Sequence, residues 1–171
     1  EGTVLAHVRQ VALPVLAAVL AGLPGLFAVT VISALGRSLP RISSAAFAGP
    51  AKRLSTTLTR IASPVTGLFF AFAAIGGPAT HPLAAVRTGL GHRGAGAGTL
   101  AVATIAGALG TKLGGPRVYA ERVVPHPWLN PAAPPPTVHD LRRFQTLYAL
   151  AAIVSLALLA VLLLVTLTTL P

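Results

Sequence analysis

The chain has 171 residues, 54% of them hydrophobic and only 9% charged, and its net charge of +10 comes from 13 Lys and Arg against 3 acids. A soluble domain carries roughly 25% charged residues, so the composition excludes an ordinary soluble protein and places the chain in a bilayer. The absence of Cys excludes disulfides, thiolate metal sites and cysteine nucleophiles.

The basic residues lie between apolar runs, where the positive-inside rule accounts for them. With one Trp and two Tyr to stack on bases, no nucleic acid is expected as a partner. The chain opens on Glu1 rather than Met and shows no signal-peptide pattern, so a fragment or a processed product is expected.

The first predicted element is a span over 11–36. No charge occurs between Arg9 and Arg37, and that run is roughly 40 Å long as helix, enough to cross a hydrocarbon core of about 30 Å. Pro14 and the Gly22-Leu-Pro24-Gly25 step should kink or break it, which membrane helices tolerate where neighbours satisfy the freed carbonyls. A basic loop, 37–60, follows. Within it Leu54, Leu58 and Ile61 recur at helical spacing among Lys52, Arg53, Thr57 and Arg60, the pattern of a short basic helix at the interface.

The second span is 61–80, rich in Phe and closed by Gly76-Gly77-Pro78. The weakest element, 94–111, is built of Gly94, Gly96, Gly98, Ala103, Ala106, Gly107 and Gly110. Small residues allow close helix approach, so it reads as a central packed helix or a re-entrant segment. Counting it as a span puts the basic residues of 37–60 and 112–143 on one side, leaving Arg9, Arg87 and Arg93 on the other. The fold class is therefore all-α integral membrane, with about four transmembrane helices and both basic loops cytoplasmic; the expected location is a bacterial cytoplasmic membrane. The last span, 144–170, is the clearest. Ahead of it Pro134 to Pro136 stiffen the chain, Thr137 is a good N-cap, and Asp140 suits the first turn.

The three carboxylates, Glu1, Glu121 and Asp140, cannot form paired acid–base groups inside the spans. A magnesium–nucleotide site needs at least one carboxylate, and Asp140 reads first as a helix cap. The five His, at 7, 81, 92, 126 and 139, have no metal-ligand spacing. Leu113-Gly114-Gly115-Pro116-Arg117 admits two readings. Paired glycines can present N–H groups to an anion, with Lys112 and Arg117 alongside; the plainer alternative is a helix end followed by Pro with basic residues marking the cytoplasmic face. No Walker pattern and no nucleophile elbow is present.

Two stretches carry a family resemblance. Ala-Gly-Ala-Leu-Gly-x-x-Leu-Gly-Gly-Pro-x-x-Tyr (106–119) and Pro-Thr-x-x-Asp-Leu-Arg-Arg (136–143) resemble the C-terminal half of the adenosylcobinamide-phosphate synthases (CobD/CbiB) of cobalamin biosynthesis. Pro14 with Gly22-Leu-Pro-Gly25, and Phe47-Ala-Gly-Pro-Ala-Lys-Arg-Leu54 with Pro64, resemble two earlier motifs of that family.

The resemblance implies a membrane enzyme that uses ATP and Mg to join a corrinoid carboxylate to aminopropanol or its phosphate. It makes Lys112, Gly114, Gly115, Arg117, Asp140, Arg142 and Arg143 the candidate ligand-binding residues, with no metal ligand and no catalytic residue assigned. Four polar clusters of the family are replaced here, at Leu5–Gln10, at Val31–Gly36, at Ser55-Thr56 and at Arg93–Ala97. The leading expectation is a catalytically degenerate relative serving as a membrane subunit or scaffold, partnered by the bilayer and by other membrane subunits or its own copies. One alternative is an active ligase completed by a missing N-terminal half or a partner chain. The other is an unrelated small structural subunit.

Overall fold

The computed structural model describes residues 2–42, 45–78, 80–92, 96–119 and 122–169. α1 (Gly2–His7) passes through a single π turn (Val8–Ala12) into α2 (Leu13–Ile42). A π turn widens the backbone by one residue; here it lies just ahead of Pro14, whose ring would otherwise press on the Gln10 carbonyl of a regular helix. α2 is two helices meeting at a break, with Ala21 at φ −138° and Gly22 at φ 62°, ψ −153°. A positive φ is open to Gly without steric cost. Beyond the break, Gly25 packs on Ala17, eight residues back: a Cβ there would lie 2.6 Å from the Ala17 carbonyl oxygen. An unbroken helix would hold these residues roughly 12 Å apart along its axis, so the two halves fold toward each other.

α3 (Ala45–Gly76) keeps Pro50 and Pro64 within it. Two short helices follow, α4 (Pro82–Gly91) and α5 (Thr99–Leu109). Pro82 sits in the first turn of α4, where its missing N–H forfeits no helix bond, and Gly110 ends α5 in the left-handed region at φ 65°. α4 and α5 lie against each other. Gly107 lies against the Ala84 carbonyl and Gly89 against the Thr104 hydroxyl, each with no room for a Cβ, and the His81 N–H donates to the Ala108 carbonyl at 2.9 Å.

Every α5 residue from Ala101 to Leu109 is buried. The helix also leans on α3, with Gly67 meeting Leu100 and Thr104 and the Ala101 N–H donating to Ser63 Oγ at 3.2 Å. After α5 come four short strands, β1 (Leu113–Gly114), β2 (Arg117–Tyr119), β3 (Arg122–Val124) and β4 (Trp128–Leu129). They pair antiparallel as β1–β4 and β2–β3, one ladder nested within the other. α6 (Val138–Thr169) closes the chain.

The largest fully buried side chains include Phe70, Ile105, Leu147, Val4 and Val8, so the core lies where α1, α3, α5 and α6 meet. The molecule is an all-α membrane protein. Among the described residues, three helices are long and apolar enough to cross a bilayer: Gly2–Gly36, Gly49–Gly76 and Val138–Leu158.

The segment expected as a fourth span, 94–111, is different. Its helix has 11 residues, roughly 16 Å against a hydrocarbon core of about 30 Å. It is buried from Ala101 to Leu109. The region expected as a loop at 37–60 is also mostly helical, because the spacing of Leu54, Leu58 and Ile61 runs without interruption into the second span. Lys52, Arg53 and Arg60 therefore ride on α3. The side chains of Arg37 and Arg41, and Arg93, lie outside the described residues. The 61–80 element ends earlier, at Gly76, and the 112–143 loop contains the strands.

Candidate functional site

Chain geometry after α5 is set by closely spaced backbone bonds. The Thr111 N–H donates to the Ala106 carbonyl at 3.0 Å and the Lys112 N–H to the Pro134 carbonyl at 2.8 Å. Leu113 pairs with Leu129 and Gly114 with Trp128. Gly114 and Gly115 adopt φ 82° and 84°, and a Cβ on Gly115 would sit 2.5 Å from the Trp128 ring. The Lys112 ammonium stands over that ring, 4.3 Å from its centroid, a contact worth about 0.5–1 kcal/mol where partly exposed.

The glycine pair is not a helix end, since α5 stops at Leu109 with Gly110 as its cap and Gly114 belongs to β1. The Gly115 N–H already donates to the Pro127 carbonyl at 3.2 Å, so it does not face an anion. The glycines make room for Trp128, and Trp128 in turn fixes Lys112.

Asp140 belongs to the start of α6. One carboxylate oxygen accepts from the Thr137 N–H at 2.9 Å and the Thr137 hydroxyl at 2.7 Å, while the Asp140 N–H returns to Thr137 Oγ1 at 3.4 Å. This reciprocal pair is a capping box with Asp in the usual Glu position. The other oxygen takes Arg143 Nη1 at 2.7 Å. Arg142 is exposed. Arg117 pairs through its backbone with Val124, and its side chain lies outside the described residues.

The candidate residues thus form two clusters, Lys112-Gly114-Gly115 on the β1–β4 ladder and Asp140-Arg143 on the α6 cap. Between them lies a pocket of about 470 Å³ bordered by Leu113, Pro136, Thr137 and Asp140. Among the described residues, the donor set does not fit a magnesium–nucleotide group. Asp140 is committed to Thr137 and Arg143, Glu1 and Glu121 lie outside the described residues, and among the described residues no three His, Asp or Glu gather as metal ligands. No step is derived through ATP or Mg.

A second locality was not singled out from the sequence. Arg9 Nε donates to Thr59 Oγ1 at 3.4 Å, and that hydroxyl donates to the Ser55 carbonyl at 2.7 Å. Gly36 packs on Ser55, where a Cβ would lie 2.7 Å from the Ser55 Cβ, and Gly98 packs on Leu5 and Thr59. Beside these residues runs a groove of about 540 Å³ lined by Arg60, Ser63, Gly67, Gly96 and Thr104 among others.

Residues from the first three replaced clusters therefore adjoin one another around Ser55 and Thr59 of α3, and Gly98, one residue beyond the fourth, packs there too. Nothing in their spacing along the chain predicts that meeting. It comes from the crossing of α1, α2 and α5 over α3. His7 was equally unanticipated. It is fully buried, with ring centroids 5.6 Å from Phe70 and 5.3 Å from Tyr148 and Nε2 3.5 Å from Ser155 Oγ. The available signal was an ionisable residue at the head of a long apolar run, a placement that membrane proteins seldom leave idle.

Two curated proteins, both called cobalamin biosynthesis protein CobD and both from Rhodobacter capsulatus, are each 39% identical to the chain over 137 residues. The chain is a relative of CobD. The match covers 77% of this chain and 42% of each CobD, so the chain spans less than half the length of these relatives. An identity of that extent overturns the alternative of an unrelated subunit with an accidental resemblance. No protein-family model matches the chain, and no solved structure does.

Proposed function

We propose that this CobD relative is a catalytically degenerate membrane subunit or scaffold of the cobalamin-assembly machinery. The carrying observation is the locality around Ser55 and Thr59. Stretches that depart from the family pattern meet there, and the polar groups found are hydroxyls and the Arg9 guanidinium. General acid–base chemistry needs a group poised to take and give a proton, and a hydroxyl bonded to a helix carbonyl is poor at both. In this reading the Gly114-Gly115 turn serves a membrane-surface contact with a partner subunit or a second copy. The basic segments at 37–60 and 112–143 face the cytoplasm of a bacterial cell.

Expression in a bacterium deleted for its own CobD tests the proposal. Growth that depends on cobalamin made from adenosylcobyric acid is the readout, with the chain verified in the membrane fraction. No growth from this chain alone is expected; restored growth overturns the reading.

The coverage of 42% of each relative favours a second reading, an active corrinoid–aminopropanol ligase completed by a missing N-terminal half or a carboxylate-bearing partner chain. Growth restored only when such a partner is co-expressed selects it.

A further inference from the structure

We propose that the pocket between α1, α5 and the start of α6 seats one acyl chain of an anionic phospholipid, with the headgroup beside Lys112 and Arg142. This inference does not rest on the functional reading above. The pocket's volume, about 470 Å³, lies within the roughly 300–1,000 Å³ of small-ligand sites. Its walls are Val4, Val102, Ile105, Leu109 and Phe144, side chains that suit a hydrocarbon chain. Its rim carries Val138 and Leu141, which are 79% and 57% exposed at the mouth of a helix apolar enough to cross the bilayer. A lipid tail therefore has a hydrophobic entry from the side.

Two further features choose the lipid class. The first is charge. Lys112 neighbours the lining residue Thr111, and Arg142 neighbours the lining residue Leu141. The one acid of the rim, Asp140, is covered by Thr137 and Arg143. The local balance is positive and draws a phosphate that carries net negative charge.

The second is an unmet hydroxyl. Thr111 is 3% exposed and its Oγ1 has no hydrogen-bond partner, a state that costs about 1–3 kcal/mol in a protein interior. A glycerol ester carbonyl supplies the acceptor.

Native mass spectrometry of the full chain in detergent, with palmitoyl-oleoyl phosphatidylglycerol or phosphatidylcholine added, tests the site. The chain should retain one phosphatidylglycerol, with phosphatidylcholine held about tenfold more weakly. Val138→Trp, at an exposed rim position where a large side chain closes the mouth, should lower retention about tenfold. Thr111→Val keeps shape and removes the hydroxyl, and should lower it about threefold. Leu156→Trp, on the exposed face of α6 and outside the pocket lining, should leave it unchanged. If Val138→Trp does not accumulate, Leu141→Trp closes the same rim. Equal retention of the two lipids, detergent as the sole adduct, or full retention by a folded rim variant overturns the proposal.

Discussion

α5 and α6 are both apolar, yet they occupy opposite environments. α5 has 11 residues and is buried from Ala101 to Leu109. α6 is far longer, and Ile153, Leu156, Val161 and Leu164 along it are all more than half exposed. Hydropathy reads both as membrane-seeking. What separates them is side-chain size: α5 has Ala or Gly at five of its 11 positions, so neighbouring backbones close on it from several sides, whereas the Leu-rich exposed surface of α6 suits lipid, which is as apolar as Leu. An apolar run of small residues shorter than a bilayer is core, and a run of large ones long enough to cross is boundary.

Substitutions on the two helices sharpen that contrast. The largest effect is expected at Gly107→Leu. A side chain there meets the Ala84 backbone rather than a movable side-chain end, so α4 and α5 must part. The cost should be about 3 kcal/mol, at the top of the overpacking range, read as a lower midpoint of thermal unfolding in detergent. A tolerated Gly107→Leu would break the comparison, because α5 would then not be clamped.

Thr137→Ala tests the entry to α6. It removes the hydroxyl that bonds Asp140, and losing an N-cap costs about 1 kcal/mol, measurable by the same melt and by faster amide exchange in the first turn of α6. The smallest effect is expected at Leu156→Ala on the lipid-facing side, below about 0.5 kcal/mol. A larger loss there would mean that a protein surface, not lipid, covers that face.

Much of this was legible in the residues. The last span, the Thr137 cap and the breaking step at Gly22 follow from charge-free runs, capping chemistry and glycine freedom. The small-residue stretch pointed to close packing, though not to its true length. α4 was not foreseen. Its ten residues mix Pro82, Arg87 and two glycines with apolar positions, too short and too mixed for periodicity to show, and it exists because α5 packs along it. The candidate site was legible as a list of residues but not as a place. The bond from Gly115 to Pro127 and the meeting of Arg9 with Thr59 join positions far apart in the chain, and such pairings are set by tertiary crossing rather than by local pattern. The CobD relatives support the family resemblance, while the use made of Gly115 emerged only with Trp128 lying against it.

That contact has an optical consequence. Trp128 is the chain's single Trp, so nearly all near-ultraviolet emission excited at the red edge of absorption comes from one indole, set on the β1–β4 ladder beneath a lysine ammonium. The protein carries its own chromophore at the junction of its surface segment and its helical bundle. A change in emission wavelength or quenching therefore reports on that junction, while the remaining helices stay dark.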